Sequence, residues 1–477
     1  MVASRRIIQV LGTSSSAGKS TVTMALCRYF SNLGYSVSPF KSVNMSLNSI
    51  SIEGGHEMAR SQWLQAVAAR TEPLTEMNPI LLKPEGNRTS QVIVLGKSKG
   101  VMDYAQYGKF LSDEGKEIVR QALESLLEKY DIVVAEGAGS PAEINLYERD
   151  IANIYVSSIY NTPAILVADI ERGGVFASIY GTLKLMPRPD LVKWIIINKM
   201  RGSVDLLKLG ITKIEELTGK DVIGVVPFAE IRLPGEDSLD YLESRKNSGN
   251  IGVIRYPLME NYSDLDPLIL SGKGFTYISE AGQYDAETCR TLILPGSKNV
   301  EQDLSYIRRN GIDKVIYEHR RRGGIILGIC GGYQMLGKEI SDPHKVQIKS
   351  GQLKGLELLE SSTIYDTEKT VRQARYRLAS DGDGPQYSGY EIHYGKVVSG
   401  ERSLLQTDLG PEGSLSKDGK VIGTNIHGIL ENQSIMELIT GSKSTFDHFS
   451  EMEKNIDLFT KAFIENVDIE KVKRSLL

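Results

Sequence analysis

A β-branched run, Ile7 to Leu11, leads directly into Gly12-Thr-Ser-Ser-Ser-Ala-Gly18-Lys19-Ser20 and then into a helical pattern from about Ser20 to Leu33. Strand, glycine-rich loop, Gly-Lys-Ser and helix in that order specify a phosphate-binding loop, and they commit this part of the chain to a parallel sheet covered by helices. The glycines let backbone N–H groups curl around phosphate oxygens, and the helix N-terminus adds positive potential. Lys19 can reach the terminal phosphates and the Ser20 hydroxyl can ligate Mg²⁺. Gly12, Thr13, Gly18, Lys19 and Ser20 are therefore the expected ATP contacts. The loop carries one residue more between its glycines than the usual pattern.

Further short apolar runs alternate with helical patterns: Asp131 to Ala135, Ala164 to Asp169 and Trp194 to Asn198, then Ile251 to Arg255, Thr291 to Leu294 and Gly324 to Leu327. Such alternation predicts an α/β protein with two parallel sheets. The chain of 477 residues is long enough for two cores. The polar stretch around Pro234 and Gly235 divides it into 1–235, a linker at 236–250, a second unit at 251–441 and a helical tail from 442 to 477. Thr367 to Tyr387, polar and glycine-containing, is expected to be a surface excursion. A net charge of −4 gives no basis for binding nucleic acid or an anionic membrane. No apolar stretch approaches the roughly 20 residues that span a bilayer. Three dispersed cysteines, Cys27, Cys289 and Cys330, form neither a disulfide framework nor a metal cluster, and a reducing cytoplasm is the expected location.

Gly324-Ile-Ile-Leu-Gly328-Ile-Cys330-Gly331-Gly332-Tyr-Gln334 reads as a strand, a sharp turn and a helix. The glycines permit a turn that exposes Cys330 at a helix N-terminus, where a thiolate is favoured. Its base is expected to be His427, released by Gly428 after an apolar strand, or else His393 in Tyr390-Glu-Ile-His393-Tyr-Gly395. Spacing alone does not separate the two, because catalytic pairs meet in space. His56, His319, His344 and His448 stand in polar contexts and are expected at the surface.

The long phosphate loop resembles that of dethiobiotin synthetase and its relatives, which activate carboxylates. By that resemblance Glu136, in Val134-Ala-Glu136-Gly-Ala-Gly139, is the Mg²⁺-binding acid, and Asn198 with Lys199 stands where the relatives read adenine. The cysteine turn and His427 are similar to class I glutamine amidotransferases in the cobyrinic/cobyric acid synthase subtype. Pro39-Phe-Lys41-Ser-Val-Asn44-Met-Ser-Leu-Asn48, Asp169-Ile-Glu-Arg172-Gly-Gly and Asn261-Tyr-Ser-Asp-Leu-Asp266-Pro narrow the likeness to the cobyric acid synthase family.

The resemblance implies that Cys330 attacks the side-chain amide of glutamine, with His427 as base. It further implies that Gly331 and Gly296 amides hold the oxyanion and that Gln334 contacts glutamine. The ammonia so released would amidate the b, d, e and g carboxylates of a corrinoid, (adenosyl)cobyrinic acid a,c-diamide, after ATP activates them. Lys41, Asn44, Asn48, Asp169 and Arg172 fall in family-like motifs and are the candidate corrin or phosphate contacts. One position departs from the wider class: Ile429 stands where most members carry a Glu two residues after the histidine, and Glu431 is displaced from that spacing. The competing readings are a cobyrinic acid a,c-diamide synthase, a chromosome-partitioning type of ATPase, and a non-catalytic binding relative.

Overall fold

The computed structural model describes residues 6–86, 88–228, 231, 250–382, 384–443 and 446–476. Apart from Asn250, the expected linker at 236–250 lies outside these residues.

Burial on both faces, continuous or nearly so except in the edge strand β6, produces the strands of the first sheet: β1 (Ile7–Gly12), β2 (Val37–Phe40), β3 (Ile132–Glu136), β4 (Ala164–Asp169), β5 (Val192–Met200) and β6 (Asp221–Pro227). Their spatial order is β6-β5-β4-β1-β3-β2, all parallel, with β1 central. The phosphate loop and Glu136 both leave the sheet at C-terminal strand ends, where open α/β sheets present their ligand crevice. Helix α1 (Lys19–Asn32) follows the loop and is buried along nearly its whole length. Between β2 and β3 the chain inserts a smaller four-stranded sheet, including Ile80–Gly86 and Thr89–Val94.

The second sheet comprises β7 (Ile251–Ile254), β8 (Thr276–Ile278), β9 (Thr291–Leu294), β10 (Ile325–Ile329), β11 (Ser414–Leu415) and β12 (Val421–Thr424). Its order is β8-β7-β9-β10-β12-β11, parallel except for the last pair. Cys330 follows β10 and His427 follows β12, its neighbour, so adjacent strand ends deliver both side chains to one place.

Two elements tie the halves together. Thr367 to Tyr387 runs largely along the surface, as expected, but its first part is ordered in a long antiparallel hairpin, Ser361–Leu378 paired with Tyr387–Ser399. Val371, Tyr390 and Ile392 of this hairpin pack with Ile7, Phe40 and Ile50 of the first half. The tail helix His448–Asn466 likewise lies on α1, burying Met452, Ile456, Phe459 and Phe463 against Ile8, Val22, Leu26 and Phe30. Arg28, fully buried, donates to both carboxylate oxygens of Glu453 at 2.8 Å.

Candidate active sites

At the phosphate loop, Gly18 adopts φ +97°, and a Cβ there would stand 1.9 Å from Asn198 Nδ2, so the loop can close on Asn198 only with glycine. Lys19 Nζ donates to the carbonyls of Ser14 and Gly139 at 2.8 and 2.9 Å, spanning the space between loop and β3. Ser20 Oγ donates to Glu136 Oε1 at 2.9 Å, and Lys41 Nζ reaches the same oxygen at 2.8 Å. Gln65 Nε2 donates to the other carboxylate oxygen at 2.5 Å. Burial alone would push the Glu136 carboxyl up; the Lys41 ammonium, hydrogen bonds from Lys41 and Gln65, and the charge of Lys19 hold it below its ordinary value. A hydroxyl and an ionised carboxylate side by side are hard oxygen donors, the set Mg²⁺ prefers beside a phosphate.

Of the remaining expected contacts, Asn198 Nδ2 donates to the Ala17 carbonyl at 3.0 Å, so it supports the loop directly. Lys199 Nζ bridges Ser16 O and Asp169 Oδ2. Asn44 is buried and donates to Ser61 and Gln62. Asn48 lies at the boundary between the halves, where its Oδ1 accepts from the Ser263 amide at 3.4 Å. Arg172 is exposed.

At the second site Cys330 sits at φ +51°, ψ −110°, a strained conformation for a residue with a Cβ and the mark of a nucleophile turn. Cys330 is 7% exposed, and its thiol lies 3.6 Å from the Ile392 carbonyl. Gly331 packs on Ser297, and Gly296 stands beside the His427 ring, its notional Cβ 3.4 Å from Cε1. Gly331 thus follows Cys330 directly, and Gly296 adjoins the imidazole. Gln334 is buried and accepts from the Tyr365 hydroxyl at 2.8 Å. His393 does not share this centre: its Nε2 lies 3.1 Å from Glu391, which Arg372 also holds.

The group that orients His427 is Asp264. Its Oδ2 is 2.7 Å from His427 Nδ1, and its Oδ1 accepts the Gly428 amide at 2.8 Å. Burial alone would push the imidazole down, but Asp264, and then Cys330, bring it up to about 10. Glu431 faces Arg60 and His448 instead, and burial pushes its carboxyl up to about 7. Sequence reading missed Asp264 although it lies within the Asn261 to Pro267 motif, because an acid was sought just after the histidine. The surface expectation fails for two other histidines. His319 is buried between the Tyr284 hydroxyl and the Ile325 carbonyl, and His448 is buried with its imidazole pushed down to about 3.

A buried ionic cluster is contributed by both halves. Lys83 pairs with Glu57 at 2.7 Å and with Glu260, Lys369 with Glu57 at 2.6 Å, and Lys298 with Glu85 at 2.9 Å. Burial alone would neutralise these groups; their mutual attraction holds Glu57 and Glu260 below the carboxylate range. Among the described residues, no helix is long and apolar enough to cross a membrane.

A phosphate-loop sheet docked on a Cys-His-Asp centre in a second parallel sheet defines a nucleotide-binding domain joined to a glutamine amidotransferase domain. The family descriptions agree: "CobQ/CobB/MinD/ParA nucleotide binding domain" matches residues 8–238, and "CobB/CobQ-like glutamine amidotransferase domain" matches residues 250–435. The chain is 54% identical to a protein named probable cobyric acid synthase from Thermoplasma acidophilum, over 97% of this chain and 98% of that one. It is 54% identical to a like-named protein from Picrophilus torridus, over 98% of each chain. It is also 42% identical to a cobyric acid synthase from Clostridium acetobutylicum, over 91% of this chain and 89% of that one. The chain belongs to the cobyric acid synthase family.

Proposed function

We propose that the protein is a glutamine-hydrolysing ligase of cobalamin synthesis, which uses ATP and glutamine to amidate the b, d, e and g carboxylates of (adenosyl)cobyrinic acid a,c-diamide. Residues 1–235 form the synthetase unit and 251–441 the glutaminase, with the reaction taking place in the cytoplasm. A carboxylate is a poor electrophile, so the first unit replaces its oxygen by a better leaving group. The carboxylate attacks the terminal phosphate of ATP to give an acyl phosphate, with Lys19 and Lys41 balancing phosphoryl charge. Ser20 and Glu136 would hold Mg²⁺, which screens the phosphate oxygens when bound. Gly12, Thr13, Gly18 and Asn198 shape the nucleotide site, and Asp169 supports it through Lys199.

In the second unit the Cys330 thiolate attacks the glutamine amide carbon, the Gly331 and Gly296 amides stabilise the oxyanion, and Gln334 contacts the substrate. His427, held by Asp264, takes the thiol proton and returns it to the departing ammonia. Water hydrolyses the thioester to glutamate. Ammonia displaces phosphate from the acyl phosphate and leaves an amide.

The corrin edge is assigned to a cavity of about 330 Å³ in the first half, walled by Val43, Met45, Leu82, Tyr104, Tyr107 and Leu146. The cavity adjoins Ser140, next to the Gly139 carbonyl that accepts from Lys19, so a peripheral carboxylate there faces the phosphate site. Arg88 and Arg149 at its border suit substrate carboxylates, while Asp103 and Glu143 suit carboxamides already formed.

The observation carrying this reading is that a phosphate loop with Glu136 and a Cys330-His427-Asp264 centre occur in one chain related end to end to cobyric acid synthases. The test is mass spectrometry of products from cobyrinic acid a,c-diamide, ATP, Mg²⁺ and glutamine. Four successive acid-to-amide conversions are expected. Amidation of cobyrinic acid at a and c alone would instead assign the diamide synthase reaction. A partitioning-type ATPase leaves Cys330, His427 and Asp264 without a role.

A further inference from the structure

The strand end that leads to His427 is gripped by an acid outside the catalytic centre. Ser414 of β11 pairs with Gly423 of β12, so Glu412 and Asn425 face each other two positions further on. Glu412 Oε2 accepts from the Thr424 hydroxyl at 2.6 Å, and its Oε1 accepts from the Asn425 amide at 2.7 Å. The Thr424 carbonyl in turn accepts from the Cys330 amide at 2.8 Å. One carboxylate therefore fixes the short segment that hydrogen-bonds the cysteine turn and runs on to the histidine.

Glu412 borders a polar cavity of about 250 Å³, whose walls include Tyr333, Ser399, Glu401, Ser403 and Asn425. Neither Cys330, His427 nor Gln334 lines it. Gln334 turns to Tyr365, whereas the Tyr333 hydroxyl meets Ser414 at 2.5 Å. Asn425 is 7% exposed, and its Oδ1 is buried with no hydrogen-bond partner. Among the described residues, the groups that act on Glu412 are the Thr424 hydroxyl, the amides of Asn425 and Gly413, and the like-charged Glu391; none is a cation. Burial, with Glu391 adding to it, pushes the Glu412 carboxyl up to about 7, as for an acid taken out of water without a counter-ion.

Two carboxylates beside an unmatched carbonyl oxygen set the sign of the ligand, because buried charges are stable when paired and buried acceptors when matched. A water molecule would satisfy Asn425 but would leave the acids unneutralised. The kind of cation follows from the same oxygens. Ca²⁺ takes six to eight oxygen ligands rich in carboxylate, and Mg²⁺ gives up its waters reluctantly. Among the described residues no group of three or more acidic, histidine or cysteine side chains could hold such an ion. Glu412 also commits one lone pair of each oxygen to the strand end. Two carboxylates, an amide carbonyl and the Ser403 hydroxyl suit a weakly hydrated monovalent ion, whose water shell such oxygens replace. Ammonium and potassium ions share that charge and are close in size.

We propose that the cavity bounded by Glu401, Glu412 and Asn425 binds a monovalent cation of ammonium or potassium size, which supplies the counter-charge of Glu412 and so braces the Thr424-Asn425 segment between Cys330 and His427. With the cation bound, Glu412 keeps its hold on Thr424 and Asn425, and the ends of β10 and β12 keep the register that sets the cysteine beside the histidine strand. Binding itself does not depend on the amidation reading, since it involves neither nucleotide nor corrinoid.

The test is thermal unfolding of the full chain in potassium, ammonium, lithium and choline chlorides at one ionic strength. Potassium and ammonium should raise the midpoint saturably, and lithium and choline should not. A cation bound only by the folded chain, at roughly ten times its dissociation constant, raises the folding constant about elevenfold. The lower of the two half-saturating concentrations identifies the preferred ion. Glu412→Gln and Asn425→Leu should abolish the ion-specific increment. Ser403→Ala, at a partly exposed wall, should raise the half-saturating concentration and serves if the other variants misfold. Glutamine hydrolysis, read as glutamate formed, should rise in kcat with the same half-saturation while KM stays level. Equal midpoints in all four salts, or an unaltered ion preference in both Glu412→Gln and Ser403→Ala, overturns the site. An ion-specific midpoint with an unchanged kcat overturns the bracing. Absence of glutamine hydrolysis in every salt would instead overturn the amidation reading and leave the midpoint result standing.

Discussion

Asp264 and His427 are 163 positions apart in the chain, yet the carboxylate of one lies 2.7 Å from the ring nitrogen of the other. The acid fixes the tautomer of the base and stabilises its protonated form. Asp264→Asn keeps the shape and removes the charge, so glutamine-dependent turnover should fall by about 10²- to 10⁴-fold. The alkaline limb of glutaminase activity should also move. The wild-type imidazolium persists to about pH 10, and without Asp264 its loss should occur nearer the ordinary imidazole value. Steady-state kinetics across pH 6 to 10, a range chosen to bracket roughly both values, checks this.

Cys330→Ala should abolish amidation from glutamine while leaving amidation from concentrated ammonium salt. Both rates are read from the same product assay. Loss of both would assign Cys330 a structural role.

Lys19→Ala should reduce glutamine- and ammonium-driven amidation alike, by on the order of 10²-fold or more, since it removes the cation that bridges the loop and Gly139. Unimpaired turnover would reject the phosphate-loop assignment.

The ionic cluster at the boundary gives a stability prediction. Lys83→Met leaves Glu57 and Glu260 without their shared cation in a buried setting, which should cost about 3–5 kcal/mol by denaturant unfolding. Glu57 and Glu260 are depressed in the folded protein, so their contribution is complete above the unfolded carboxylate value of roughly 4.3 and is lost as pH falls below it. Acid should therefore separate the halves before it melts their cores, detectable as loss of protection around Lys369 in hydrogen exchange.

The phosphate loop and the cysteine turn were legible in the sequence because their demands are local. A φ of +97° at Gly18 and the tight packing of Gly331 on Ser297 can be met by few residues, and those residues are glycines. Strands buried on both faces were equally readable as unbroken apolar runs. Asp264 was not, since nothing in the spacing of an acid and a histidine announces that two loops will meet. The pairing of the hairpin arm Ser361–Leu378 was unreadable for a related reason. Its polar residues include Lys369, which is buried by pairing with Glu57, and hydropathy records ionic burial as exposure. His319 misled similarly, its burial being satisfied by the Tyr284 hydroxyl and a backbone carbonyl.

The helix His448–Asn466 has an implication for how the protein is made. It covers one flank of α1, so the cluster around Val22, Leu26 and Phe30 is completed only when translation has passed Phe463. The phosphate-loop half therefore closes after the glutaminase half has been made, and the nascent chain must carry an open seam through the building of its neighbour.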